Sequence, residues 1–331
     1  MRPFAAAILA AIVVATDHGP TYGGTGPYKS YFFEVEALPN HTFYQPLKSG
    51  VGSDLKLPVI VWGNDPEVYI VWFLSAFANV EVSVGLAFRG FLGEVASHGA
   101  LVIATGSAYV DPETYVAPST EAPPPANASG TVAGENPAAM TAAINWVQEN
   151  AGKGDWTHVD GSRIGTWGQS CGGLEAYAAG MNDSRVNHLG IFNSGQLTEQ
   201  ASQEVAGSIS KPVFYLLGGP SDVAYPNVRP IPPERSTLVS SMGSQLRKGE
   251  RDYDDLPATT PTWKGNHALG HSAAFDAPNG GIPGIVGSQI MQWILRGNQS
   301  ARAWLTDDSP KTVGVNDVAF KNLDSIEVTP I

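Results

Sequence analysis

The chain has 331 residues, of which 43% are hydrophobic and 15% are charged, so it can fill one large core or two average ones. Its formal net charge of −12 provides no basic surface to neutralise phosphates, which argues against a nucleic-acid partner. Cys171 is the only cysteine, so an intramolecular disulfide is excluded.

The N-terminus has the pattern of a secretory signal peptide. Arg2 supplies a positive charge, and Phe4–Ala15 is an apolar run too short to cross a bilayer as a helix. We expect residues 1–15 to be removed, the protein to be extracellular, and the mature chain to have no transmembrane span. A short N-terminal anchor or helix is the alternative. Asn-x-Ser/Thr sites fit an exported glycoprotein, and they occur at Asn40, Asn127, Asn182 and Asn298.

Strands and helices alternate in the first half of the chain. Tyr31–Val35 has strand-forming residues, and Leu57–Trp62 is an unbroken apolar run that indicates a strand buried on both faces. Phe88–Ser97 has its apolar residues on one helical face, and Ala100–Thr105 is a further buried strand. This succession of strand, helix and strand predicts a βαβ unit.

The segment Tyr69–Ala78 is the most apolar stretch of ten residues beyond the N-terminal run. It is too short to span a bilayer as a helix. Three interpretations remain open: a buried core segment, a lid, and an apolar surface patch for lipid substrates.

The alternation continues after a long loop at residues 111–136. The predicted elements are helix Pro137–Asn150, strand Arg163–Trp167, helix Leu174–Ala179, strand Leu189–Asn193, strand Pro212–Leu217 and helix Gly284–Leu295. We predict one α/β domain at residues 26–305, with a mostly parallel central sheet and helices on both faces. Residues 306–331 are expected to form a C-terminal tail.

The pentapeptide Gly168–Gly172 has the form Gly-x-Ser-x-Gly and lies between a predicted strand and a predicted helix. This context is typical of a nucleophile elbow, in which a sharp turn presents a serine hydroxyl above a sheet. Glycine on both sides fits a turn with almost no room beside the serine. We therefore predict Ser170 as nucleophile and the backbone N–H of Cys171 as an oxyanion donor. The thiol of Cys171 is the alternative nucleophile.

A serine nucleophile needs an imidazole to accept its proton and a carboxylate to orient that imidazole. In α/β-hydrolases these groups follow in the order Ser, Asp or Glu, His. Asp222 comes just after a predicted strand, and His271 lies in a loop of small residues before the last predicted helix. We predict both as triad members, with His267 as the alternative base. The alternative acids lie together in a polar stretch, at Asp252, Asp254 and Asp255.

A second oxyanion donor is expected from the turn after strand Leu57–Trp62, where Asn64 and Asp65 are the candidates. The histidines are scattered and a single cysteine excludes a Cys-x-x-Cys pair, so no metal site is predicted. The glycines form neither a phosphate loop nor a dinucleotide fingerprint, so no cofactor is predicted.

Several segments carry a resemblance to a known family: Arg163–Tyr177, Gly190–Gly195, Lys211–Asp222, Trp263–Asn266, Gly270–His271 and Pro278–Gly281. On these residues the chain resembles secreted fungal α/β-hydrolases related to dienelactone hydrolases and polyester hydrolases, over most of residues 30–300. The resemblance implies the α/β-hydrolase fold and a serine hydrolase with Ser170, Asp222 and His271 as triad. It favours a small-molecule or polymeric ester as substrate, and we expect a monomer.

Two segments depart from the family pattern. The oxyanion turn of the family resembles Gly-Asn-Gly-Gly, whereas here Gly63-Asn64 is followed by Asp65 and an apolar stretch. We interpret residues 65–84 and 226–248 as insertions. Our hypothesis is that one or both are gene-model errors such as retained introns. A transcript that contains both would contradict that explanation. Three functions remain open. The first is an ester hydrolase, and the second is a catalytically impaired binding protein in which the insertion breaks the oxyanion turn. The third is an interfacial lipase-like enzyme that uses Tyr69–Ala78 as its membrane-facing patch.

Overall fold

The computed structural model of the protein describes residues 23–47, 54–64, 84–108, 137–222 and 248–331. Within these ranges nine strands form one sheet: β1 (Ser30–Glu34), β2 (His41–Pro46), β3 (Leu57–Gly63), β4 (Leu101–Thr105), β5 (Val159–Gln169), β6 (Val186–Phe192), β7 (Val213–Leu217), β8 (Thr262–Asn266) and β9 (Asn316–Lys321). Their order across the sheet is β1-β2-β4-β3-β5-β6-β7-β8-β9.

The central part of the sheet is parallel. β4, β3, β5, β6, β7 and β8 each run parallel to their neighbours in that row. At the two edges, β1, β2 and β9 pair antiparallel. The prediction of an α/β protein with a mostly parallel sheet is therefore confirmed. Because the central strands share one direction, the loops after β5, β7 and β8 leave the sheet at the same edge, where α/β proteins place their sites.

The described α-helices are α1 (Arg89–Ser97), α2 (Pro137–Asn150), α3 (Cys171–Gly180), α4 (Glu199–Val205), α5 (Lys248–Asp255), α6 (Gly281–Ile294), α7 (Gln299–Thr306) and α8 (Ser309–Thr312). Short 3-10 turns lie at Val84–Leu86, Gly154–Trp156, Ala206–Ser208, Gly219–Ser221, Pro278–Gly280 and Leu323–Ser325. Pro137 suits the first turn of α2, where its missing N–H costs no helical hydrogen bond.

Helices pack on both faces of the sheet. Val59 and Val61 of β3 belong to a core shared with α2, α3 and α5. Ile60 and Trp62 belong to the opposite core, shared with α1, α6 and α7. A strand buried on both faces needs apolar residues at every position, which explains the unbroken apolar run of β3. Each fully buried large apolar side chain contributes about 1.5–3 kcal/mol of transfer free energy.

Most predicted elements lie where the sequence placed them, and α2 matches at both ends. Residues 306–331, which were expected to form a C-terminal tail, contain regular secondary structure. They supply α8 and β9, and β9 pairs antiparallel with β8 at the sheet edge. β9 is largely exposed, so it lacks the apolar pattern of a buried strand.

Several predictions fall outside the described residues. They are the signal peptide, the apolar segment Tyr69–Ala78, the loop at 111–136, and all but one residue of each predicted insertion, 65–84 and 226–248. In the part of the chain that the structure describes, no helix has both the length and the apolar character needed to cross a membrane.

Candidate active site

Ser170 lies between the end of β5 and the start of α3, which is the predicted strand–turn–helix arrangement. Its backbone angles are φ 57° and ψ −124°. A positive φ is strained for a residue with a side chain and costs about 1–3 kcal/mol. The turn is held by hydrogen bonds from the Ser170 N–H to the Phe192 carbonyl at 3.1 Å and from the Gly173 N–H to the Ser170 carbonyl at 3.0 Å.

The glycines on either side of Ser170 are required by close backbone contacts. A Cβ atom at Gly168 would lie 1.9 Å from the carbonyl oxygen of Gly172. A Cβ atom at Gly172 would lie 2.0 Å from the carbonyl oxygen of Gly63, the last residue of β3. Helix α3 can therefore pack this closely against β5 and β3 only with glycine at both positions of the Gly-x-Ser-x-Gly pattern.

The structure brings the three predicted triad residues together. His271 Nε2 lies 2.9 Å from Ser170 Oγ, and His271 Nδ1 lies 2.6 Å from Asp222 Oδ1. An ionised carboxylate only accepts hydrogen bonds, so Nδ1 carries the proton and Nε2 accepts from the serine hydroxyl. The Asp222 side chain is fully buried, whereas the His271 side chain is 20% exposed. The three groups therefore form one hydrogen-bonded chain from a buried acid to a solvent-accessible base.

Asp222 and His271 lie in the loops after the neighbouring parallel strands β7 and β8. The two loops are in direct contact, because the Gly270 N–H donates to the Gly218 carbonyl at 2.9 Å. The Gly218 N–H also donates to Asp222 Oδ2 at 3.1 Å. A Cβ atom at Gly218 would lie 2.3 Å from the Gly270 carbonyl oxygen and 2.4 Å from Asp222 Oδ2. Glycine at this position lets the acid loop and the base loop approach each other.

Two buried amide side chains that sequence reasoning did not single out hold the backbone of His271. Asn193 Nδ2 donates to the His271 carbonyl at 2.6 Å, and Gln169 Nε2 donates to the same oxygen at 2.9 Å. Gln169 precedes Ser170 and Asn193 follows β6, so their places next to strand ends were the available signal.

His267, the alternative base, is not part of this chain of bonds. Its ring is buried, and its Nδ1 accepts from the Leu269 N–H at 3.3 Å. Within the described ranges its Nε2 has no hydrogen-bond partner. Burial lowers the pKa of His267 to about 4, so its ring is neutral near pH 7.

Asp252, an alternative acid, belongs to a separate buried cluster. It accepts from the Tyr177 hydroxyl at 2.9 Å and from the Gln196 N–H at 2.7 Å. The hydroxyls of Tyr177 and Tyr215 are 2.7 Å apart. Burial raises the pKa of Asp252 to about 6. The cluster joins α5 to α3 and β7. On the same helix, Asp254 is exposed and Asp255 is half-buried.

The predicted oxyanion donors Cys171 and Asn64 differ in their positions and hydrogen bonds. Cys171 is the first residue of α3, and the N-terminus of a helix favours negative charge. Asn64 does not fit the role, because its backbone N–H donates to Thr105 Oγ1 at 2.8 Å. Its Nδ2 donates to the Thr105 carbonyl at 2.8 Å, and its Oδ1 accepts from Trp62 Nε1 at 2.7 Å. Asn64 therefore ties the end of β3 to β4, and Asp65 lies outside the described residues.

Among the described residues, histidine, cysteine and carboxylate side chains do not form a group of three that could bind a metal ion. Comparison with models of known protein families gives no match, and neither does comparison with curated protein sequences. The fold and site define an α/β protein that carries a Ser–His–Asp hydrogen-bonded chain at the carboxyl edge of its sheet.

Proposed function

We propose that the chain is a serine hydrolase of the α/β-hydrolase fold that cleaves carboxylic esters. The observation that carries the proposal is the bonded chain from Asp222 through His271 to Ser170. It is supported by the strained turn at Ser170 and by the order Ser, Asp, His along the sequence.

In the first half-reaction, Ser170 Oγ attacks the ester carbonyl carbon while its proton passes to His271 Nε2. Asp222 keeps the ring in the tautomer with its proton on Nδ1 and stabilises the imidazolium that forms. The carbonyl oxygen becomes an oxyanion, to which the N–H of Cys171 donates at the start of α3. The tetrahedral intermediate collapses, the C–O bond to the alcohol breaks, and His271 returns the proton to the departing oxygen.

The second half-reaction hydrolyses the acyl-enzyme. A water molecule gives a proton to His271 Nε2 and attacks the acyl carbon, and the bond to Ser170 Oγ then breaks. The carboxylic acid leaves and Ser170 regains its proton. The reaction needs no cofactor, because proton transfer and charge stabilisation come from the chain itself.

Ester chemistry, with a small or polymeric substrate, is proposed from the resemblance to secreted fungal hydrolases. The same resemblance and the N-terminal pattern support an extracellular protein.

Hydrolysis of a short-chain nitrophenyl ester tests the proposal. Wild-type protein should release nitrophenol, and Ser170→Ala should abolish the release. Ser208→Ala is the matched control, since Ser208 is exposed and its hydroxyl donates to the Val205 carbonyl at 2.9 Å, away from Ser170. Full activity of Ser170→Ala would reject the proposal.

One observation favours a second candidate function, a binding protein of the same fold that does not turn over esters. The backbone N–H of Asn64 donates to Thr105, so it does not serve an oxyanion. Loss of one oxyanion donor lowers turnover by about 100- to 1,000-fold. Absence of ester turnover, both in the wild type and in a form lacking residues 65–84 and 226–248, would favour the binding protein.

A further inference from the structure

The backbone of the proposed base is held by the two side-chain amides of Asn193 and Gln169. Both donate to the His271 carbonyl oxygen, at 2.6 Å and 2.9 Å, and Asn193 Nδ2 also lies 3.3 Å from the Gly270 carbonyl oxygen. Both residues are buried, with exposed fractions of 0% for Asn193 and 3% for Gln169. Two donors on one carbonyl fix its position more firmly than one.

Asn193 carries two unfavourable features. Its φ is 45°, a positive value that asparagine adopts more readily than most residues with side chains but less readily than glycine. Its Oδ1 is buried and has no hydrogen-bond partner within the described ranges. Strained residues of this kind concentrate at functional sites, where the surrounding structure holds them in place.

The position of Asn193 connects the nucleophile with the base. Its N–H donates to the Leu216 carbonyl in β7 at 2.8 Å. The next residue, Ser194, donates its hydroxyl to the Ser170 carbonyl. Gln169 immediately precedes Ser170 at the end of β5. The strands that hold the serine therefore also hold the backbone of the histidine.

Besides these two amides, the loop that carries His271 is restrained through its backbone by the hydrogen bond from the Gly270 N–H to the Gly218 carbonyl at 2.9 Å. Gly270 has φ 76°, and Leu269 is 50% exposed. The imidazole must meet Ser170 Oγ and Asp222 Oδ1 at once, so a small shift of this loop lengthens both bonds. A misplacement of about 1 Å at a reacting group can cost about 100-fold in rate.

We propose that Asn193, together with Gln169, is a positioning residue that aligns His271 with Ser170 through the His271 carbonyl. This inference rests on the proposed hydrolase function. Neither amide touches the reacting atoms in this role. Their contribution is to fix the backbone from which the base projects.

The test compares nitrophenyl-ester kinetics of Asn193→Gly, Gln169→Leu and a matched control, Asn322→Gly. Glycine accepts a positive φ, so Asn193→Gly removes the amide without adding strain. Asn322 has φ 51°, and its Nδ2 donates to the Ala258 carbonyl near the opposite end of β8. We expect kcat to fall about 10- to 100-fold in the first two variants, with KM unchanged, and both constants to stay at wild-type values in the control.

A second arm separates positioning from general damage. In a His271→Ala background, Asn193→Gly should cause no further fall in kcat, because residues that act through one another are not additive. An equal fall in both backgrounds, or no fall in the wild-type background, would overturn the inference. If Asn193→Gly does not fold, the same comparison with Gln169→Leu decides.

The Ser170→Ala variant keeps the two proposals distinguishable. Its full activity would reject the hydrolase function and this inference with it. Full activity of Asn193→Gly, in a protein that depends on Ser170, would reject only the positioning role.

Discussion

Replacement of Gly172 by alanine would place a methyl group against the backbone of β3. The new Cβ would lie 2.0 Å from the Gly63 carbonyl oxygen, whereas ordinary contact begins at 3.4 Å, so one of the two backbones must move by about 1.4 Å. Alanine in a helix is favoured over glycine by about 1 kcal/mol. Overpacking against a backbone that cannot rotate away costs about 1–3 kcal/mol or more. We therefore expect Gly172→Ala to be destabilised despite its better helix propensity.

The same movement shifts the start of α3 and with it Ser170. A shift of about 1 Å between Ser170 Oγ and His271 Nε2 should lower kcat about 100-fold. Urea unfolding and nitrophenyl-ester kinetics measure the two effects. Gly207→Ala is the control, because among the described residues its Cβ would meet only the Asp255 carbonyl oxygen, at 3.6 Å. A Gly172→Ala protein with wild-type stability and wild-type kcat would refute the steric account of the elbow.

Three further predictions concern stability. Lys211 Nζ donates to three backbone carbonyls between the end of α3 and β6. Lys211→Met should therefore lower the free energy of unfolding, measured with urea, by about 2 kcal/mol. An unchanged urea midpoint would contradict this. Burial lowers the pKa of His267 to about 4 from its usual 6.5. As the pH falls below 6.5, His267 is therefore protonated in the unfolded state before it is protonated in the folded state, which favours unfolding. The free energy of unfolding of the wild type should therefore fall by about 3 kcal/mol between pH 6.5 and pH 4 because of His267. The His267→Gln variant should not show this fall. Burial raises the pKa of Asp252 to about 6, so its stabilising effect is present below pH 3.8 and is lost as the pH rises through 6. The free energy of unfolding of Asp252→Asn, measured relative to that of the wild type, should therefore rise by on the order of 3 kcal/mol between pH 4 and pH 7. A difference between the two proteins that does not change with pH would contradict this.

The sequence predicted the elements whose residues share one local pattern. The unbroken apolar run of β3 follows from burial on both faces, and the apolar stripe of α2 follows from one buried face. The elbow was also predictable, because the close contact that requires glycine at position 168 is with Gly172, inside the same strand–turn–helix unit.

The remaining elements depend on partners distant in sequence. β2 contains His41, Thr42 and Gln45, and all are buried in the sheet. The ring nitrogens of His41 lie 2.9 Å from the Pro39 carbonyl oxygen and 3.0 Å from that of Ala139. The sequence of such a strand shows no apolar alternation, because its buried polar side chains form hydrogen bonds with other parts of the fold.

The same limit applies within the site. The meeting of Ser170, Asp222 and His271 could be predicted from motif, chain order and loop position. The engagement of Asn64 with Thr105 and the contact of Asn193 with His271 are set by neighbouring strands and loops. Sequence spacing does not encode which acceptor a given amide finds.

The most direct measurement is the rate and position of labelling by a fluorophosphonate probe, which reports an activated serine without requiring a known substrate. The wild type should be modified once, on the peptide that contains Ser170, and His271→Ala should be labelled far more slowly. Labelling at another residue, or an equal rate in the His271→Ala variant, would contradict a serine activated by this histidine.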